Sequence, residues 1–191
     1  MIMAIDVSNT NITLGTFKGE KLLKIYRVTT KVPRTSDEYG VLLRDLVRLS
    51  NASHHDIEGV IIASVVPNVM YSLTNACIKY FHVHPVIVGP GVKTGVKVGA
   101  ENPKEAGSDL IVNAAAVKAI VIDYGTATSY QLVLEDGKLD SVVIAPGIQT
   151  SVQALTSDAA RIPEVEIRKP KTILTKDTTE CIQAGIVYGT I

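Results

Sequence analysis

Apolar residues in this chain change spacing from one stretch to the next, and each spacing predicts an element. Residues 2–6 (IMAID) and 12–17 (ITLGTF) read as two strands of a hairpin, and KGEK (18–21) leads into a third strand, LLKIYRVTT. In TSDEYGVLLRDLVRLS the apolar positions Tyr39, Leu42, Leu43, Leu46 and Val47 keep helical spacing, and Thr35 with Glu38 forms a capping-box signature. VIIASVVP (60–67) is a continuous apolar run that predicts a buried parallel strand. Val69, Leu73, Cys77, Tyr80 and Phe81 mark a second amphipathic helix, and PVIVG (85–89) a further strand. A meander followed by helix–strand–helix–strand predicts an α/β domain with a mixed sheet.

ENPKEAGSDLIVNAAAVK (101–118) is a helical stretch broken near Gly107, so that a fresh helix begins at Ser108 and Asp109. The next segment repeats the opening of the chain. IDVSNTNITLGTF and IDYGTATSYQLVL each carry an apolar strand, an Asp, one residue, a small residue, a polar run and a second strand. Asp6 and Asp123 correspond. Internal similarity of this kind implies a duplicated domain.

Composition narrows the class. At 191 residues, with 46% hydrophobic and 20% charged residues, the chain fits one large or two small globular domains. Nineteen basic residues balance nineteen acidic ones, so no global field favours nucleic acid or an anionic membrane as partner. No basic leader segment or long apolar span is read, and the expected compartment is the cytoplasm. Cys77 and Cys181 lack a metal-ligand spacing and are expected as buried thiols. His82 and His84 share one side of FHVHP without a supporting acid or thiol, which makes a weak metal site.

The repeat suits nucleotide chemistry. Tight bends of small polar residues can turn backbone N–H groups and hydroxyls towards a phosphate. An Asp at the strand end can hold a hard cation that offsets phosphate charge. No GxxxxGK[ST] loop occurs, so a Walker-type site is excluded.

Eight motifs in sequence carry a resemblance: DVSNTN, TSDEYGVLLRDL, ASVVP, VGPGVKTG, NPKEAGSD, IDYGTAT, IAPGI and KDTTECIQAG. Together they resemble the type III pantothenate kinases of the acetate and sugar kinase, chaperone ATPase and actin superfamily. The resemblance implies duplicated ribonuclease H-like (actin-like ATPase) domains, each a mixed five-stranded sheet flanked by helices. The first domain is expected over residues 1–108 and the second over 109–191. It implies ATP-dependent phosphorylation of pantothenate, the first step towards coenzyme A, in a homodimer whose substrate site lies near the interface.

Carried over by position, Asp6, Val7, Ser8, Asn9, Thr10, Asn11, Ile12 and Thr13 would form an ATP phosphate loop, with Asp6 near Mg²⁺. Thr126 would be a second ATP contact, and Asp123 a ligand of a monovalent cation, K⁺ or NH₄⁺. Asp109 would be the catalytic base. Ala100, Gly107, Ser108, Asp109, Leu110 and Thr178 would line the pantothenate site.

The chain departs from the family pattern at four places. Ser8 stands where Gly is usual, which would strain a bend of positive φ. Leu110 replaces an Arg suited to a carboxylate. Ala100 replaces a Tyr, and DSVVIAPG lacks paired glycines. Helical NAAAVK also runs into strand AIVID without a turn, which implies a missing loop near residues 118–119, and the second domain reads as incomplete at its C-terminus. Two other functions fit these departures: a small-molecule kinase of the same superfamily with another acceptor, and a non-catalytic regulatory protein on the same fold.

Overall fold

The computed structural model describes residues 1–89, 92–99, 101–158 and 163–190. Strands β1 (Ile2–Val7), β2 (Asn11–Lys18) and β3 (Lys21–Thr29) form the antiparallel meander, and β4 (Gly59–Ser64) and β5 (Val86–Ile87) extend it in parallel, in the order β3-β2-β1-β4-β5. Asp6 lies one residue from the end of β1, between Thr13 of β2 and Ala63 of β4.

Alternation along these strands sends Met3, Ile5 and Val7 of β1, with Ile12 and Leu14 of β2, into one core. Helices α1 (Ser36–Leu49) and α2 (Pro67–Phe81) cover that face with Tyr39, Leu43, Val47, Leu73 and Cys77. Each fully buried aliphatic side chain there stabilises the fold by about 1.5–3 kcal/mol. The Thr35–Glu38 capping box forms as the sequence predicts. Where α1 meets α2, a Cβ on Gly40 would run into the Tyr80 ring, so the absence of a side chain sets how closely the helices approach. His82, one of the two histidines of the weak metal reading, ends α2 as a left-handed cap with φ 58°.

The opposite face of the sheet is less covered. Helix α3 (Ser108–Ala116) packs Ile111 against Ala63 and Val88, but Ile61 of β4 remains 39% exposed. A cavity of ≈ 270 Å³ lies on this face, lined by residues that include Asp6, Thr13, Ala63 and Val112. The continuous apolar run of β4 is therefore fully buried only on the helical side.

Strands β6 (Lys97–Val98), β7 (Ile120–Tyr124), β8 (Ala127–Val133) and β9 (Lys138–Pro146) make a second sheet in the order β6-β9-β8-β7. Among the described residues it has four strands where five were expected. Helices α4 (Ile148–Asp158) and α5 (Thr178–Gly189) follow, the latter capped by Asp177, whose side chain accepts from the Glu180 N–H at 3.0 Å. The chain divides into two compact units: residues 1–118 with 133–140, and residues 119–132 with 141–191.

Helix α3 ends at Ala116 and residues 117–119 connect it to β7. One expectation needs correction, and one element was not expected. Cys77 is buried, and burial pushes its thiol up to about 12, but Cys181 is exposed, with its Sγ 3.0 Å from Thr175 Oγ1. Helix α4 was not foreseen, although Ile148, Val152 and Leu155 keep its period. No helix among the described residues is long and apolar enough to cross a membrane.

Candidate functional site

The first acidic bend is held from two sides. Asp6 is half-buried, and the Ser8 hydroxyl donates to its Oδ2 at 3.0 Å. Ser8 N–H donates to the Asn11 carbonyl at 3.0 Å, closing the bend. Thr30, just past β3, donates its hydroxyl to the Ser8 carbonyl at 2.7 Å and its N–H to the Thr10 carbonyl at 3.0 Å. Both carbonyls are thereby turned towards Thr30. The expected strain at Ser8 is absent: Asn51 and His82 are the non-glycine residues of positive φ among those described. A serine here adds a hydroxyl on the carboxylate.

The eight residues of the expected phosphate loop divide by burial. Val7 and Ile12 belong to the core, so only their backbone can serve a ligand. Asn9, Thr10 and Asn11 are exposed at the tip, and Thr13 is half-buried.

Asp109 reaches the same edge of the first sheet by a different route. The buried Ser108 hydroxyl donates to the Ser64 carbonyl at 2.9 Å, which seats the start of α3 on the last residue of β4. Ser64 pairs with Val7 in the parallel register, next to Asp6. The Asp109 carboxylate curls back over Gly107, where a Cβ would collide with Oδ1. Oδ1 accepts from the Leu110 N–H at 2.9 Å, using one donor of the helix's first turn. Oδ2 accepts from no described residue. Gly107 is thus required for space and not for its φ of −59°.

The second bend repeats the first in register. Asp123 pairs with Ser129 as Asp6 pairs with Thr13, each one position before the hairpin's last pair. Gly125 N–H donates to the Ala127 carbonyl at 3.0 Å. The Thr126 carbonyl accepts from Gly147 N–H at 3.0 Å and from the Thr150 hydroxyl at 2.6 Å. A Cβ on Gly147 would collide with the Gly125 carbonyl, so the start of α4 is fitted against this bend. Gly147 and Thr150 were given no role in the sequence reading, although IAPGI was singled out. Asp123, Thr126 and Thr178 are exposed, and Thr178 opens α5. Ala100 lies outside the described residues.

Two sets of candidate residues are therefore assembled, each within its own unit. One holds Asp6, the bend and Asp109 at the carboxyl ends of β1 and β4, the edge at which open α/β sheets bind ligands. The other holds Asp123 and Thr126 against Gly147 and Thr150.

The profile of the family described as type III pantothenate kinase matches residues 2–191. The chain belongs to this family. It is 50% identical over 197 residues to the type III pantothenate kinase of Agathobacter rectalis, covering 100% of this chain and 76% of that one. It is 46% identical over 195 residues to that of Halalkalibacterium halodurans, covering 99% and 77%. The crystal structure of a Baf family transcriptional activator from Campylobacter jejuni shares the fold, with a TM-score of 0.60 at 14% identity over 98% of this chain and 75% of that one. Ser8, where the resemblance led to an expected Gly, is accommodated by the bend, and Leu110, where it led to an expected Arg, is half-buried beside the candidate base.

Proposed function

We propose that this member of the type III pantothenate kinase family transfers the γ-phosphoryl group of ATP to the terminal hydroxyl of pantothenate, giving 4′-phosphopantothenate and ADP in the first step towards coenzyme A. The observation that carries the reading is the setting of Asp109. Gly107 leaves room for the carboxylate, Leu110 N–H fixes Oδ1, and Oδ2 stays open at the strand edge that also carries Asp6.

Phosphoryl transfer asks for alignment and charge neutralisation more than for covalent help. The hydroxyl oxygen forms a bond to the γ-phosphorus while the bond to the β-phosphate's bridging oxygen breaks and ADP leaves. The hydroxyl proton passes to Asp109 Oδ2, which orients the alcohol beforehand. The bend at residues 6–13 supplies backbone donors and short hydroxyls to the phosphates, and Thr126 a further contact. Asp6 fits Mg²⁺, which takes one or two carboxylates and keeps several waters. Bound there, Mg²⁺ would neutralise phosphate charge. Asp123 supplies a hard oxygen for K⁺ or NH₄⁺. Gly107–Leu110, Ala100 and Thr178 would contact pantothenate, in a cytoplasmic homodimer with the site near its interface.

The test is a phosphotransfer assay with pantothenate, ATP and Mg²⁺, with and without potassium. Asp109→Asn is expected to lower turnover by about 10²–10⁴-fold while the circular dichroism spectrum stays unchanged. Normal turnover in that variant would remove Asp109 from its role. Half-buried Leu110 favours one second reading, the same transfer to a different alcohol. An acceptor screen in which another alcohol outperforms pantothenate would select it.

A further inference from the structure

The first unit carries a second concave site, far from the acidic bend. A cavity of ≈ 470 Å³ opens between the last turns of α1 and the segment that follows, lined by residues that include Arg44, Asp45, Arg48, Asn51, Ser53 and His54. Its volume is in the range of small-molecule sites. It lies where β1 begins, because the buried Thr16 hydroxyl donates to Ser50 Oγ at 3.1 Å and Glu58 N–H donates to the Met1 carbonyl at 2.9 Å. Asp6 is at the other end of β1.

The shape is built by the chain's exit from α1. Ser50 caps the helix, and Asn51, at φ 58°, turns the backbone, so that residues 51–54 line the cavity together with Arg44 and Arg48. Ser53 and Asp56 cap each other across the short 3₁₀ turn His54–Asp56, Asp56 Oδ2 accepting from Ser53 N–H at 2.7 Å.

Charge is the second observation. Arg44 and Arg48 are four residues apart, so they share one helix face. Arg48 has only a long pairing with Asp45, 3.6 Å, with both side chains well exposed. Such a pair is weak and exchangeable. Arg44 makes no ion pair among the described residues. His54 stacks beside His55 at 3.9 Å between ring centroids and meets Phe81 edge-on. The lining therefore carries a net positive charge in a chain whose net charge is zero.

We propose that this cavity is a non-catalytic site for a phosphate-bearing small molecule, anchored by Arg44 and Arg48, with Asn51 and Ser53 as neutral partners. The Arg forks suit phosphate oxygens, and Asp45 gives up Arg48 when the anion enters. His54 adds a pH dependence. Desolvation, then the positive charges of His55, Arg44 and His82, hold its pKa below the ordinary value. An anion among these groups favours the protonated imidazole, so binding strengthens as pH falls.

The experiment is a sulfate titration of the isotope-labelled chain, followed by ¹H–¹⁵N NMR at constant ionic strength balanced with chloride. Sulfate keeps its charge between about pH 5.5 and about pH 8, so a change in affinity reports the protein. Shifts in residues 44–54, tighter binding at the acid end, and a loss of about ten-fold in affinity in Arg44→Gln are expected. Inorganic phosphate should compete for the same resonances. The spectrum of Arg44→Gln shows directly whether it is folded. Unchanged affinity in a folded Arg44→Gln, or shifts confined to residues 6–13, would overturn the site. Equal affinity at both pH values would overturn the part given to His54.

Discussion

The two acidic bends share a sequence pattern and a register, yet they are supported differently. Beneath Asp6, Met3 and Val7 are 0% exposed, and two helices close that face of the sheet. Around Asp123 the strand itself is open: Ile120 is 69% exposed and Ile122 48%. The first bend is a rim on a packed core. The contacts that hold the second include Gly125 N–H to the Ala127 carbonyl and the Gly147 and Thr150 donors on Thr126. A repeated motif fixes where a carboxylate sits in a hairpin, but the packing behind it decides what a mutation there disturbs.

Stability separates them most. Leu73→Ala, at a 0% exposed position under the first sheet, should cost about 2–5 kcal/mol, because the cavity adds to the lost transfer energy. Ile120→Ala should cost no more than about 0.5 kcal/mol. Urea unfolding of both variants measures the contrast. Equal losses would mean that β7 is as well packed as the first core, and the distinction would fail.

Two glycines test the bends by activity. Gly147→Ala places a methyl against the Gly125 and Thr126 backbone, which cannot yield without moving the second bend. Gly107→Ala meets only the Asp109 carboxylate, which can swing away at little cost to the fold. Gly107→Ala should therefore lower kcat by about 10²-fold, the scale of a misplaced general base, with melting nearly unchanged. Gly147→Ala should lower melting temperature and raise KM for ATP together. A Gly107→Ala enzyme of normal kcat would mean that the carboxylate works from another position.

Much of this architecture was legible because its determinants are local. The hairpin, the capping box at Thr35 and the break at Gly107 depend on residues within a few positions of one another. What the sequence hid depends on distant partners. Gly147 carries no signal of its own until the Gly125 carbonyl is seen against it, and Ser8 reads as a strained replacement until Asp6 Oδ2 and Thr30 are placed around it. The short edge strand β6 pairs with Lys138 and Leu139 in parallel, and two residues carry too little pattern to announce it.

Ser8→Ala probes the first bend more gently. It removes the hydroxyl donated to Asp6 while Thr30 still holds the bend through the Ser8 carbonyl. The loss should be about 1 kcal/mol, seen as roughly a five-fold fall in kcat/KM for ATP. Ser8→Gly, the residue expected at this position from the sequence, loses the same donor. If Ser8→Gly keeps full activity while Ser8→Ala does not, backbone freedom and not the hydroxyl is what the bend needs.

The smallest effect concerns the helix layer that makes the first bend rigid. Asp37 on α1 accepts from Lys79 Nζ and Tyr80 Oη of α2, both at 2.6 Å. The Lys79 and Tyr80 hydrogen bonds hold its carboxyl below the ordinary carboxylate range. A depressed folded-state pKa contributes stability above the unfolded value, and that contribution is lost as pH falls through the folded one. The wild type should therefore lose slightly more stability than Asp37→Asn between about pH 5 and about pH 2. The contact is fully solvated, so solvent and salt should shrink the difference further. Identical acid unfolding curves would show that the close approach at Gly40, and not this surface contact, fixes α1 against α2 beneath Asp6.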